Sequence, residues 1–191
     1  MQVWNPPKIY KNVNQVDVFV LTCIDPRFTY FLTWFLNHSK EARNNYDLFA
    51  LAGSSMCADL TTQSPPSGLP STTPWLTTFD NHIALASSLH QIQEVWIFDH
   101  LNCGAYKNYL DDDSPETHIV NMRKMRDHVK TLDSKLIVKL FLMDIDGSIQ
   151  LIESEGGLQK FTMASYTPQN KWIIMFWVTF SILIGFLKNL F

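Results

Sequence analysis

Charge is scarce in this chain. Only 17% of its 191 residues are Asp, Glu, Lys or Arg, and the formal net charge is −3. With no basic excess to neutralise phosphates, a nucleic-acid-binding role is excluded as an expectation. Cysteine is scarce as well, at Cys23, Cys57 and Cys103. An odd, widely spaced set excludes a disulfide framework and fits a reducing compartment where thiols stay free. The opening Met1-Gln2-Val3-Trp4-Asn5-Pro6-Pro7 has neither a basic head nor an apolar run, so no secretion signal is expected. The length suits one domain with its own core and not two, and no internal repeat is visible.

Hydrophobic residues make up 46% of the chain, and they are concentrated at its far end. Trp172 to Leu187 carries no charge and is bracketed by Lys171 and Lys188. As a helix extended to Phe191 it would span about 30 Å, the thickness of a bilayer core. A single C-terminal transmembrane helix over 172–191 is therefore expected, with a tether over 161–171. A span so close to the end inserts after synthesis, which would leave the preceding domain on the cytosolic side of the membrane.

Two short stretches organise the rest: Cys23-Ile24-Asp25-Pro26-Arg27 and His100-Leu101-Asn102-Cys103-Gly104. Each follows an apolar run, Val18 to Thr22 and Val95 to Phe98, that reads as a buried strand. In an open parallel sheet the carboxyl ends of strands line up along one edge, and ligands bind just beyond it. Two thiolates and one imidazole meeting there form the ligand set of a catalytic zinc with an open fourth position. Cys23, His100 and Cys103 are the candidate ligands. Read alone, each also suits a bland role, a buried core cysteine or a surface histidine, and Asp25 also suits the N-cap of a helix opened by Pro26.

The pairing of C-x-D-x-R with a later H-x-x-C-G resembles the β-class carbonic anhydrase family, over roughly Asp17 to Glu153. That resemblance implies a zinc enzyme, one ion per chain, hydrating carbon dioxide to bicarbonate and a proton through a zinc-bound hydroxide. It assigns Asp25 to orient that hydroxide and Arg27 to hold Asp25, and it implies a homodimer. With the C-terminal run, the chain is expected to be a small, membrane-anchored member. Zinc chemistry on carbonyl sulfide or carbon disulfide, and a non-catalytic tethered scaffold, are the alternatives. The chain departs from the usual pattern at Ala50-Leu51, where Arg-Asn is frequent, and at Asp99, where a glycine often precedes the zinc histidine.

The expected fold class is α/β: a mainly parallel sheet of four strands with an antiparallel edge strand, helices on both faces, and the C-terminal span. Residues 1–16 form an irregular arm and 17–160 the zinc domain. Tyr46 to Ala52 is a further strand, closed by Gly53-Ser54-Ser55, whose small side chains border the crevice. Thr61 to Pro74, rich in Ser, Thr and Pro, is a loop. Trp75 to Gln93 and Pro115 to Leu132 read as helices, and Leu136 to Met143 as a strand. Asp146-Gly147 is a hairpin signal leading into an edge strand from Ser148 to Glu153. His82, His90 and Cys57 are left out of the site, and Asp111-Asp112-Asp113 reads as a solvated loop. The basic side of the 115–132 helix, with Arg123, Lys124, Arg126 and Lys130, is an exposed face that on a tethered domain would lie near anionic lipid.

Overall fold

A computed structural model describes residues 15–154. In chain order they form β1 (Val18–Cys23), α1 (Pro26–His38), β2 (Tyr46–Leu51), two short 3-10 turns (Ser54–Ala58 and Leu60–Gln63), α2 (Thr73–His90) and β3 (Glu94–His100). There follow α3 (Gly104–Leu110), α4 (Pro115–Leu132), β4 (Ile137–Met143) and β5 (Ile149–Ser154). The strands make one sheet in the order β2-β1-β3-β4-β5. The first four run parallel, and β5 returns antiparallel on β4. The expected sheet and its edge strand are both present.

Period-two alternation decides what each face of the sheet carries. From β3, Trp96 and Phe98 point to α1, where Phe35 packs against both and against Phe141 of β4. Val95 and Ile97 point the other way, into a core shared with Phe79 and Ile83 of α2 and Met122, Met125 and Val129 of α4. Helices therefore cover both faces. The strand order reverses direction between β1 and β3: from β1 the chain moves out to β2, and from β3 it moves out to β4. Such a switch point opens a crevice beyond the strand ends. The β1–β3 register pairs Thr22 with Phe98, so Cys23 and His100 finish side by side.

The loop at 61–74 is more tied than its composition suggests. Leu60–Gln63 is helical, Thr62 and Thr72 are buried, and their hydroxyls lie 2.8 Å apart. Ser71 Oγ donates to the Gln63 carbonyl at 2.8 Å. At the hairpin, Gly147 has φ +85° and its N–H donates to the Asp144 carbonyl.

The membrane expectations are corrected. Residues 1–14 of the expected arm, the tether and the anchor at 172–191 lie outside the described residues. Among the described residues no helix is long and apolar enough to cross a membrane. The longest, α2 and α4, each bury one stripe and turn polar residues outward, Asn81 and His82 on α2 and Arg123 and Lys124 on α4. The transmembrane helix in the fold class, the membrane-anchored membership, the membrane partner and the single-pass, cytosolic-side placement are therefore withdrawn. The basic face of α4 is also not free for lipid. Lys124 pairs with Asp59 at 2.7 Å, Arg123 and Arg126 both meet Glu153, and Lys130 donates to the Leu136 carbonyl. The expected homodimer rested on the resemblance alone. Nothing among the described residues bears it out, and it is withdrawn with the membrane partner.

Candidate metal centre

Three of the residues singled out in sequence converge beyond the β1 and β3 ends. The Cys23 Sγ, a ring nitrogen of His100 and the Cys103 Sγ lie within 4.8 Å of one another. Cys23 ends β1, His100 ends β3, and Cys103 caps α3, which the chain enters after the turn at Asn102, whose φ is +60°. His100 is fully buried and Cys103 is 2% exposed, whereas Cys23 is half-buried.

His100 is oriented for ligation. Its Nδ1 lies 2.9 Å from the Leu101 carbonyl, an acceptor, so Nδ1 carries the proton and Nε2 keeps its lone pair. That Nε2 is buried without a hydrogen-bond partner, an expensive arrangement for a polar atom unless another ligand satisfies it. Phe28 stacks on the ring at 4.1 Å between centroids and fixes its plane.

The sulfurs show the same readiness. They lie 4.0 Å apart, and a tetrahedral ion with thiolates at about 2.3 Å would set them roughly 3.8 Å apart. The Gly53 N–H donates to Cys23 Sγ at 3.3 Å. The Cys23 thiol is pulled well below its ordinary value, first by the hydrogen bond from Cys103, against burial, and then by His100. Cys103 is pushed up as the donor of that bond. Donor type, spacing and the orphaned imidazole nitrogen all fit a zinc ion.

On the solvent side stands the Asp25–Arg27 pair. Arg27 Nε reaches Asp25 Oδ1 at 2.9 Å, and Nη2 reaches Oδ2 at 2.6 Å. Nη2 also donates to the Asn102 carbonyl at 2.8 Å, tying the first motif to the second. Asp25 is at once the N-cap of α1, accepting from the Arg27 N–H. Its Oδ2 lies 3.9 Å from His100 Nε2. The Arg27 hydrogen bond lowers the carboxyl to about 2, so Asp25 is an acceptor across the physiological range.

Gly53, expected at the border of the crevice, takes φ +70°, and a Cβ there would stand 3.0 Å from Met56 Cε and 3.1 Å from Ala105 Cβ. His82 and His90 sit on α2 away from the cluster, His90 on Asp47 at 2.7 Å. Cys57 is buried in the core, where desolvation pushes its thiol up to about 12.

Sequence reasoning missed the groups behind the metal cluster. Asp99 is 1% exposed and accepts from Ser55 Oγ at 2.7 Å and Tyr106 OH at 2.6 Å. Asp113, expected in a solvated loop, instead accepts the Cys103 N–H at 2.8 Å and meets His118. Two signals were available. Asp99 stands one residue before His100 and so faces the opposite side of the sheet, and His118 falls on the same helical stripe as Met122, Met125 and Val129.

No family model matches the chain. It is similar to an uncharacterized protein of Rickettsia conorii, 27% identical over 151 residues that cover 74% of this chain and 75% of that protein. An uncharacterized protein of Rickettsia bellii is 27% identical over 149 residues, covering 74% and 85%. Among solved structures, the β-carbonic anhydrase isoform I of the protozoan Trichomonas vaginalis superposes with a TM-score of 0.50 at 17% identity, covering 76% of this chain and 88% of that one. At that identity the likeness is one of fold.

Proposed function

We propose that the chain is a zinc enzyme that hydrates carbon dioxide to bicarbonate and a proton, with Cys23, His100 and Cys103 holding the metal. The observation that carries this reading is the meeting of those three groups at the switch point, beside a carboxylate gripped by Arg27. When bound, zinc supplies the Lewis acidity that makes water a nucleophile near neutral pH. The chain's residues do the rest. Two cysteines as thiolates would balance the charge of the ion, and His100, whose Nδ1 proton is fixed on the Leu101 carbonyl so that Nε2 can ligate, would complete the protein's share. Asp25 has no proton to give, so it accepts one hydrogen from the attacking water and turns that oxygen's lone pair toward the carbon. Arg27 keeps Asp25 from rotating and, through the Asn102 carbonyl, keeps it in register with Cys103. A structural zinc would require a fourth protein ligand, and this arrangement offers an arginine-held acceptor instead.

The test is stopped-flow hydration of carbon dioxide by the zinc-loaded full chain, with Cys103→Ser alongside. Rapid turnover that disappears in the variant is the expected result. One zinc per chain with no turnover across a range of pH overturns the substrate, and carbonyl sulfide and carbon disulfide would be assayed next.

A further inference from the structure

Behind the metal cluster, on the α4 side of the sheet, His118 lies fully buried between two carboxylates. Its Nδ1 is 3.1 Å from Asp99 Oδ2 and its Nε2 is 3.0 Å from Asp113 Oδ1. Tyr106 of α3 covers the ring at 3.7 Å between centroids. A neutral imidazole has one N–H, yet both nitrogens here face acceptors. Asp99 already receives Ser55 Oγ, Tyr106 OH and the Ser55 N–H, and Asp113 receives the Cys103 N–H, so both side chains are held in place against the ring. An acid opposite each ring nitrogen favours the imidazolium, which donates in both directions.

The two carboxylates lead to two different ligand segments. Asp99 immediately precedes His100 on β3 and is set by the pleat on the opposite face. Asp113 holds the backbone N–H of Cys103 itself. His118 thus joins the strand that presents the imidazole ligand to the turn that presents the second thiolate. Lys107, at 3.8 Å from Asp113 Oδ2, is the exposed outer end of the chain of contacts. Opposite it, on the solvent side, Arg27 makes the comparable tie from Asp25 to the Asn102 carbonyl.

We propose that His118 is a positioning residue: through Asp99 and Asp113 it sets the separation of His100 and Cys103 and so the affinity and symmetry of the metal site. The inference rests on the ligand reading above. Outer-shell partners of this kind change metal affinity by about 10- to 100-fold. A residue that merely fills the core would alter stability and leave affinity alone.

The experiment uses the full chain and cobalt as the probe metal, with affinity from chelator competition and geometry from the visible d–d bands. The variants are His118→Ala, His118→Gln and, as the control for lost packing, Val129→Ala, which is fully buried on the same helix. His118→Ala is expected to weaken cobalt binding by at least about tenfold and to shift the bands, with Val129→Ala within about twofold of wild type. His118→Gln, whose amide can still donate to Asp113, recovers most of the loss. Equal affinities for His118→Ala and Val129→Ala overturn the proposal and leave the ligand reading standing. A wild-type chain that binds no cobalt overturns the ligand reading first. Because His118→Ala can fail to fold, the wild-type ring is also examined by ¹⁵N NMR. Two protonated nitrogens at neutral pH are expected, and the signature of a single neutral tautomer sinks the clamp.

Discussion

Arg27 holds Asp25 with both arms of its guanidinium, Nε at 2.9 Å from Oδ1 and Nη2 at 2.6 Å from Oδ2. The grip opposes two alternative fates for the carboxylate, rotation into solvent and capture as a resident fourth ligand. Asp25→Asn keeps the size and removes the charged acceptor, so turnover should fall by at least about tenfold while zinc stays at one per chain. Arg27→Ala releases Asp25 toward the metal, and the loss of turnover should then be accompanied by tighter zinc retention against a chelator. Metal analysis beside stopped-flow hydration separates the two. Zinc lost from Asp25→Asn would show that Asp25 is a ligand in the resting protein.

Gly53 is the backbone donor to Cys23 and takes a left-handed φ with Met56 and Ala105 close by. Gly53→Ala places a Cβ where those side chains must give way and keeps φ in a region L-residues resist. A loss of about 1–3 kcal/mol in urea unfolding is expected, together with weaker zinc binding as the N–H turns off the sulfur. Unchanged stability and unchanged affinity would mean that the turn relaxes without cost.

Much of this was legible in the sequence, for physical reasons. Val18 to Thr22 and Val95 to Phe98 are short apolar runs, rich in β-branched and aromatic residues, that suit buried strands, and their parallel pairing brings the two strand ends together. The three residues of the candidate metal cluster were legible because Cys and His at strand ends are few and their chemistry is specific. The groups behind them were not. Asp99, Asp113 and His118 come from a strand, a loop and a helix, and each alone reads as ordinary polar sequence. Only the pleat, which turns Asp99 away from His100, and the α4 register, which puts His118 among Met122 and Met125, bring them together. The C-terminal run at 172–191 lies outside the described residues, and among those no helix is long and apolar enough to cross a membrane.

Phe28 links the first motif to the second by packing. It is 3% exposed on the first turn of α1 and stacks on the His100 ring. Phe28→Ala should cost about 3–5 kcal/mol of stability. It also removes the wall that fixes the imidazole plane, so the visible spectrum of the cobalt-loaded chain should broaden. Phe28→Tyr, which keeps the ring, should retain the spectrum. An unaltered spectrum in Phe28→Ala would show that the Leu101 carbonyl alone orients His100.

His118 also makes stability depend on pH in a direction opposite to that of a paired carboxylate. Burial pushes its imidazole down, but the hydrogen bond to Asp99, the charge of Asp99 and then Asp113 outweigh it, and the folded value lies above the ordinary 6.5. The groups that face it are Asp99 from β3, Asp113 from the loop before α4 and Tyr106 from α3, whose phenol is raised well above its ordinary value and stays neutral. A group whose folded value is raised binds its proton more tightly in the native chain. Its contribution is therefore complete below the unfolded value and is lost as pH rises through the folded one. His118→Gln removes that term and leaves the cysteines in place, so subtracting its unfolding free energy from that of the wild type isolates it. The difference should favour the wild type most at about pH 5.5 and shrink steadily toward about pH 9. A difference that grows with pH would mean that His118 is buried neutral and that one of its two carboxylates carries the proton instead.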